Sequence, residues 1–236
     1  MGQNVTATRP ARRSKEALTR LTVADAVTDR LRHLILSGEI AHGAPLRQDA
    51  LAEEMGTSRI PVREALSRLE GEGLASSLPH RGYVVTPLSR DEIVELYELR
   101  AQLEPELIRH AIPNMTAADL DGAAAIFAQF KTALDTKDMD SWGELNRQFH
   151  LALYRPSGRV RTLEIVRGLL INSDRYTRFL LQEFGPATDQ AEADHGGLLE
   201  LCRKGQINQA VALTRDHIEI ICENLLATLG TDPSWR

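Results

Sequence analysis

The chain carries only two cysteines in 236 residues, Cys202 and Cys222, on different predicted helices and at no metal or redox spacing. A disulfide framework and a cysteine-ligated zinc module are thereby excluded. The pair reads as small buried or half-buried side chains in a reducing compartment. No apolar run reaches the length of a membrane span, and the N-terminus has no apolar signal-peptide segment, so the expected location is the cytoplasm with no membrane partner. Also missing are an HExxH helix, a GxSxG elbow, a glycine-rich phosphate loop and a Cys–His nucleophile pair, which removes the common catalytic machineries. Strong charge of either sign is absent too, the formal net charge being −5. That charge is unevenly spread. Residues 1–87 hold 12 Lys and Arg against 10 Asp and Glu, and residues 88–236 hold 16 against 23. A front that is net +2 and a back that is net −7 suit phosphate contact at the front alone.

A chain of this length is long enough for two domains that each bury a core. Within the front part, Leu51 to Leu74 has the pattern of a helix-turn-helix. Leu51, Ala52 and Met55, then Val62, Ala65, Leu66 and Leu69, fall at helical spacing on two short consecutive segments. Gly56 lies between them, where a chain leaving a right-handed helix commonly needs positive φ. Ser58 is placed to cap the second segment, and Pro61 falls in its first turn, where a missing N–H costs little. Arg59 and Arg63 are four apart and away from the apolar stripe. They project together from the N-terminal half, the part of a recognition helix that meets base edges and phosphates. An ordinary helical hairpin with a solvated arginine face is the competing reading. Two strand-like runs follow, Leu74 to Leu78 and Tyr83 to Thr86, joined by a turn with a basic tip at Pro79-His80-Arg81-Gly82. A helix-turn-helix followed by such a hairpin is a winged helix.

The run SRIPVREALSRLEGEGL followed by RGYVV resembles the GntR family of bacterial transcription regulators. The upstream LRHLILSGEIAHGAPL is similar to that family's first helix and short first strand, and the likeness covers about residues 22 to 87. The resemblance implies that Arg59 and Arg63, with Ser58 beside them, read or position a DNA operator. It also implies that Arg81 and Gly82 approach the minor groove. Where many relatives carry a DNA-contacting Arg two positions before the LA dipeptide, this chain has Asp49, with Arg47 as the nearby cation two residues out of register. Residues 1–21, with Arg9, Arg12, Arg13, Lys15 and Arg20 against Glu16 alone, have no apolar period. They read as a flexible basic arm, either adding salt-dependent phosphate contacts or serving only as a leader.

From Ser89 onward the texture is helical. Six helices are expected: Ser89–His110, with Pro105 as a kink, Thr116–Thr136, Met139–Tyr154, Val160–Phe184, Thr188–Lys204 and Ile207–Leu229. Thr116 and Asp119 form a cap pattern at the start of the second. The expected fold is mainly α, an N-terminal winged helix-turn-helix followed by an all-α antiparallel bundle. The boundaries are 1–21 for the arm, 22–87 for the DNA-binding domain and 88–236 for effector binding and dimerisation, with Pro87 at the junction. An all-helical half of this length after such a winged helix resembles the ligand-sensing FCD domain of the FadR subfamily, and its length suits the shorter, six-helix VanR-like branch.

Asn146 and His150 form an i, i+4 pair beside Trp142, Leu145, Phe149 and Leu153, so both point toward the bundle interior. His195 and His217 come from two further helices. Three inward histidines on three helices can surround a divalent metal, although each alone is equally an ordinary core or surface histidine. Imidazole suits Zn, with Ni, Fe or Mn as alternatives. NRQFH, DHGGLLEL and TRDHI are similar to the family's three metal-site motifs. The resemblance therefore implies a metal held by Asn146, His150, His195 and His217 at the floor of an effector pocket. Asn146 stands where the family pattern has Asp, which removes one negative charge. Arg100 and Glu104, in ELRAQLE, resemble the family's R-x-x-[LI]-E. There the Arg would hold a carboxylate bidentately, and Glu104 would orient Arg100 or the metal shell, or serve only as a surface pair. The expected protein is a homodimeric regulator, a repressor by analogy, of a palindromic double-stranded operator, answering to a small organic acid. A metal-responsive regulator, a metal-dependent hydrolase and a bundle with an empty site that only dimerises are the alternatives.

Overall fold

The computed structural model describes residues 22–79, 82–87, 89–184 and 188–229. The arm at 1–21 and the wing-tip Arg81 lie outside the described residues. Helix α1 (Val23–Leu36) begins at a capping box: the Thr22 hydroxyl accepts from the Asp25 N–H, and the Asp25 carboxylate accepts from the Thr22 N–H. After β1 (Pro45–Leu46) come α2 (Gln48–Glu54) and α3 (Arg59–Gly71), then β2 (Ala75–Leu78) and β3 (Gly82–Val85). The three strands form an antiparallel sheet in the order β1-β3-β2, with Val84 paired to Pro45 on one side and Ser76 on the other. Val62, Ala65, Leu66 and Leu69 make the buried stripe of α3, packed with Leu31, Leu74 and Val85 in one core. Gly56 has φ +60°, the left-handed exit that lets α3 turn away from α2 at no Cβ cost. Ser58 holds the N-cap position of α3 with extended backbone but makes no side-chain capping bond.

The rest is helical, as the periodicity requires. Helices α4 (Arg90–Ala111), α5 (Ala117–Thr136), α6 (Met139–Tyr154), α7 (Val160–Phe184), α8 (Thr188–Arg203) and α9 (Ile207–Leu229) follow in order. Short 3-10 turns at Ile112–Asn114 and Arg155–Ser157 extend α4 and α6. Thr116 and Asp119 form the expected capping box at α5. Pro105 is buried inside α4, which runs on for six residues beyond it to Ala111. One bundle core gathers Leu107, Phe149, Leu153, Leu170 and Leu198, and a second gathers Ile93, Tyr97, Tyr176 and Ile218. Ile171 of α7 is the exception, because it is buried in the core of the winged helix.

Candidate functional site

Three elements of the bundle bring His150 (α6), His195 (α8) and His217 (α9) together. One ring nitrogen from each lies within 4.8 Å of the other two, and all three side chains are buried. The closest approach is Nε2 of His195 to Nε2 of His150, at 3.2 Å. Two nitrogens bound to one metal at ~2.0–2.1 Å are themselves ~3.0–3.4 Å apart, so this separation is the edge of a coordination shell. Phe130 and Phe149 each stand 4.9 Å from the His195 ring, which makes the walls dry and apolar. Burial, and then the neighbouring histidines, holds His150 well below the ordinary imidazole range, and burial does the same to His195. Both rings are therefore neutral, as metal binding requires.

The outward nitrogens of two of these rings are engaged. Nδ1 of His217 lies 2.8 Å from Oδ2 of Asp194. Nδ1 of His150 lies 3.3 Å from the Tyr154 hydroxyl, which donates to Oε2 of Glu104 at 2.8 Å. A carboxylate-directed Nδ1–H leaves Nε2 as the lone-pair nitrogen facing inward, the arrangement that orients metal-bound histidines. Nδ1 of His195 is buried with no hydrogen-bond partner among the described residues. Three convergent imidazoles, two of them with tautomers set from outside, fit a borderline divalent ion such as Zn. Asn146 is half-buried one turn before His150.

Arg100 and Glu104 are not a surface pair, for both are fully buried. Nε of Arg100 donates to Oε1 of Glu104 at 2.6 Å, and its guanidinium lies 4.9 Å from the centre of the Tyr97 ring. Burial opposes the charge, but Glu104 and Tyr97 outweigh it and hold Arg100 above its ordinary range. The pair uses Nε, so Glu104 does not occupy the terminal nitrogens, the edge that could meet another anion. Glu104 thus links Arg100 to the histidines through Tyr154, a chain that sequence reasoning missed. Tyr154 could have been found as the residue one turn beyond His150. Asp194 could not: it precedes His195 in sequence yet serves His217 on another helix.

The other candidates lie on the winged helix. Ser58, Arg59 and Arg63 are exposed at the N-terminal half of α3, opposite its buried stripe. Nε of Arg59 pairs with Oδ1 of Asp49, and both side chains are largely exposed. Ile60 beside them is 61% exposed. Arg47 is exposed at the N-cap of α2, and Gly82 is exposed as the first residue of β3.

Comparison with known proteins agrees with this architecture. Residues 23–85 match the bacterial regulatory proteins of the gntR family, and residues 95–220 match the FCD domain. The chain is 29% identical over 161 residues to the HTH-type transcriptional regulator McbR of Escherichia coli (strain K12), spanning 68% of this chain and 73% of that protein. It is 25% identical over 169 residues to the HTH-type transcriptional repressor GlaR of the same organism, spanning 70% and 77%. The solved structure of E. coli McbR/YncC has the same fold, with a TM-score of 0.74 at 24% identity over 86% of this chain and 99% of that one.

Proposed function

This chain belongs to the gntR family of bacterial regulatory proteins with an FCD domain, and is a DNA-binding transcription regulator rather than an enzyme; from that premise we propose a metal-centred sensor of a small carboxylate. The buried histidine triad, with the outward nitrogens of His217 and His150 held by Asp194 and by Tyr154–Glu104, carries the reading. His150, His195 and His217 would hold a divalent metal, Zn or else Ni, Fe or Mn, with Asn146 as a neutral fourth donor. A bound metal supplies an electrophilic centre for an anionic oxygen. Arg100, already charged and fixed by Glu104, would grip the same carboxylate from the α4 side.

We place the division at Pro87, between a DNA-binding domain at 22–87 and an effector domain at 88–236; the separate winged-helix and bundle cores support it, although Ile171 of α7 crosses into the former. The six bundle helices among the described residues favour the shorter, VanR-like branch. In a cytoplasmic homodimer, two α3 helices would enter successive major grooves of a palindromic operator through Arg59 and Arg63. Arg81 and Gly82 would lie near the minor groove, and Arg47 near the backbone. Repression is the mode carried by named relatives such as GlaR. Ligand entry would shift the bundle helices and, through the segment around Pro87, change the spacing of the two recognition helices. Its leverage equals its differential affinity for the two arrangements.

The test is native mass spectrometry and elemental analysis of untagged protein purified without chelator. One equivalent of divalent metal per chain, carrying a small carboxylate, is the expected result. A metal-free dimer would overturn the metal-centred part and leave Arg100 as the effector anchor. DNA affinity that responds to saturating metal alone would make the metal itself the signal.

A further inference from the structure

One turn of α7 leaves the bundle and enters the winged helix. Ile171 is buried in the core of that region. The Asn172 carboxamide nitrogen donates to the Glu72 carbonyl at 2.6 Å, just past the end of α3. Next to it, Gly73 has φ +78°, and a Cβ there would stand 3.0 Å from Oδ1 of Asn172, so backbone conformation and close approach both demand glycine. Three residues on, Nη2 of Arg175 donates to the Thr86 carbonyl and faces Nδ1 of His42 at 3.2 Å. Partial burial and the Arg175 charge hold His42 down at about 4, so its ring is a neutral acceptor at neutral pH.

Thr86 is the last residue before Pro87. Its N–H donates to the Leu74 carbonyl, and its hydroxyl meets that of Ser76, so it carries the hairpin and the end of α3 with it. A neighbouring face of the same α7 turn meets α6. Asp174 pairs there with Arg147, one turn of α6 before His150. Beside the turn, cavities of about 330 and 800 Å³ separate α1 from α6 and α7, and both are bordered by Asp29, Arg32, Glu144 and Arg147. The two regions are therefore held through this turn and leave open space alongside it.

We propose that the Ile171–Arg175 turn of α7 is the clamp that sets where the winged helix sits on the bundle, with Asn172 and Arg175 as positioning residues. This rests on the regulator reading above and names the part through which the bundle fixes recognition-helix spacing. The clamp is built to release. Arg175 is 2% exposed, yet its Nε and Nη1 have no hydrogen-bond partner among the described residues, and its Nη2 contacts are a carbonyl and a neutral imidazole. Burial penalises this guanidinium more than Tyr176 and the Glu92 charge favour it, and no carboxylate forms an ion pair with it among the described residues, so the docked arrangement depends on geometry and a small shift of α7 undoes it.

Full-length wild type, R175A, R175K and N172A are tested on a duplex that the wild type selects from a random pool, on the same duplex with half-sites moved by one or two base pairs, and on a single half-site. Wild type is expected to lose ~10-fold or more in affinity when the spacing changes, a typical coupling magnitude. R175A and N172A should bind the single half-site and retain metal like wild type, yet lose less than about 3-fold on altered spacing, with R175K intermediate. Full wild-type spacing discrimination in both R175A and N172A overturns the clamp. So does loss of single half-site binding or metal in both, which marks a merely structural role. If the wild type selects no duplex at all, the operator-binding reading fails instead.

Discussion

Around Arg59 the decisive fact is its partner. An exposed ion pair contributes only ~0.2–1 kcal/mol in water, so Asp49 orients Arg59 more than it stabilises the fold. Held through Nε, the guanidinium presents its outer edge, the geometry that meets guanine bidentately. Asp49→Ala should therefore tighten binding to unrelated duplexes, by removing a carboxylate from the phosphate side, while narrowing the gap between selected and scrambled sequences. Titrations of both duplexes at two salt concentrations read the two effects separately. Arg63→Ala should weaken operator binding by about 1–3 kcal/mol, roughly 5- to 150-fold, with metal content unchanged. His195→Ala removes the ring that meets His150 and leaves α3 untouched. Metal retention should fall at least ~10-fold by elemental analysis after dialysis, while operator binding survives.

Helix α7 ties these residues together, because one turn of it faces both regions. Asp174 on its α6-facing side is pushed up to about 7 by burial, against the pull of Arg147 and Arg100. A carboxyl whose folded value is raised binds more protons folded than unfolded between about 4 and 7. Its contribution to stability is present below the unfolded value and is lost as pH rises through about 7. Asp174→Asn should therefore flatten the decline in urea midpoint across that window, and an unchanged slope would assign the decline to other groups. Helix α3 offers a simpler test. Leu66 has no exposed surface, and Leu66→Ala should cost about 2–5 kcal/mol of stability, read as an earlier melting transition. The bounds of these elements were legible because caps and periodicity are local: Thr116 and Asp119 announce α5, and Gly56 ends α2. The short β1 is less so, since only its pairing with β3 makes Pro45–Leu46 a strand.

At the scale of the whole molecule, a metal held by the triad would link α6, α8 and α9 and act as a ligand of the folded state. Stripping it with a chelator should lower the thermal midpoint, and added Zn should restore it. Zn at 100 times its dissociation constant corresponds to about 2.7 kcal/mol. A midpoint indifferent to chelator and to Zn would argue against an occupied site. Because burial keeps His150 and His195 neutral through the range in which solvated imidazoles charge, metal content by elemental analysis should stay level as pH falls from 8 to about 6.

The sequence by itself determined the two-part plan, the helix-turn-helix with its outward arginines, and the three histidines as inward residues on separate helices. Each of these follows from spacing within one element, and the resemblance to known motifs put the histidines together. Only the tertiary structure decided that Asp194 serves His217, that Glu104 reaches His150 through Tyr154, and that Arg100 is buried and not a surface pair. It alone placed Arg175 at the junction between the regions, against Thr86 and His42. Helical periodicity states which face a side chain is on; which element that face meets is set by how the helices pack.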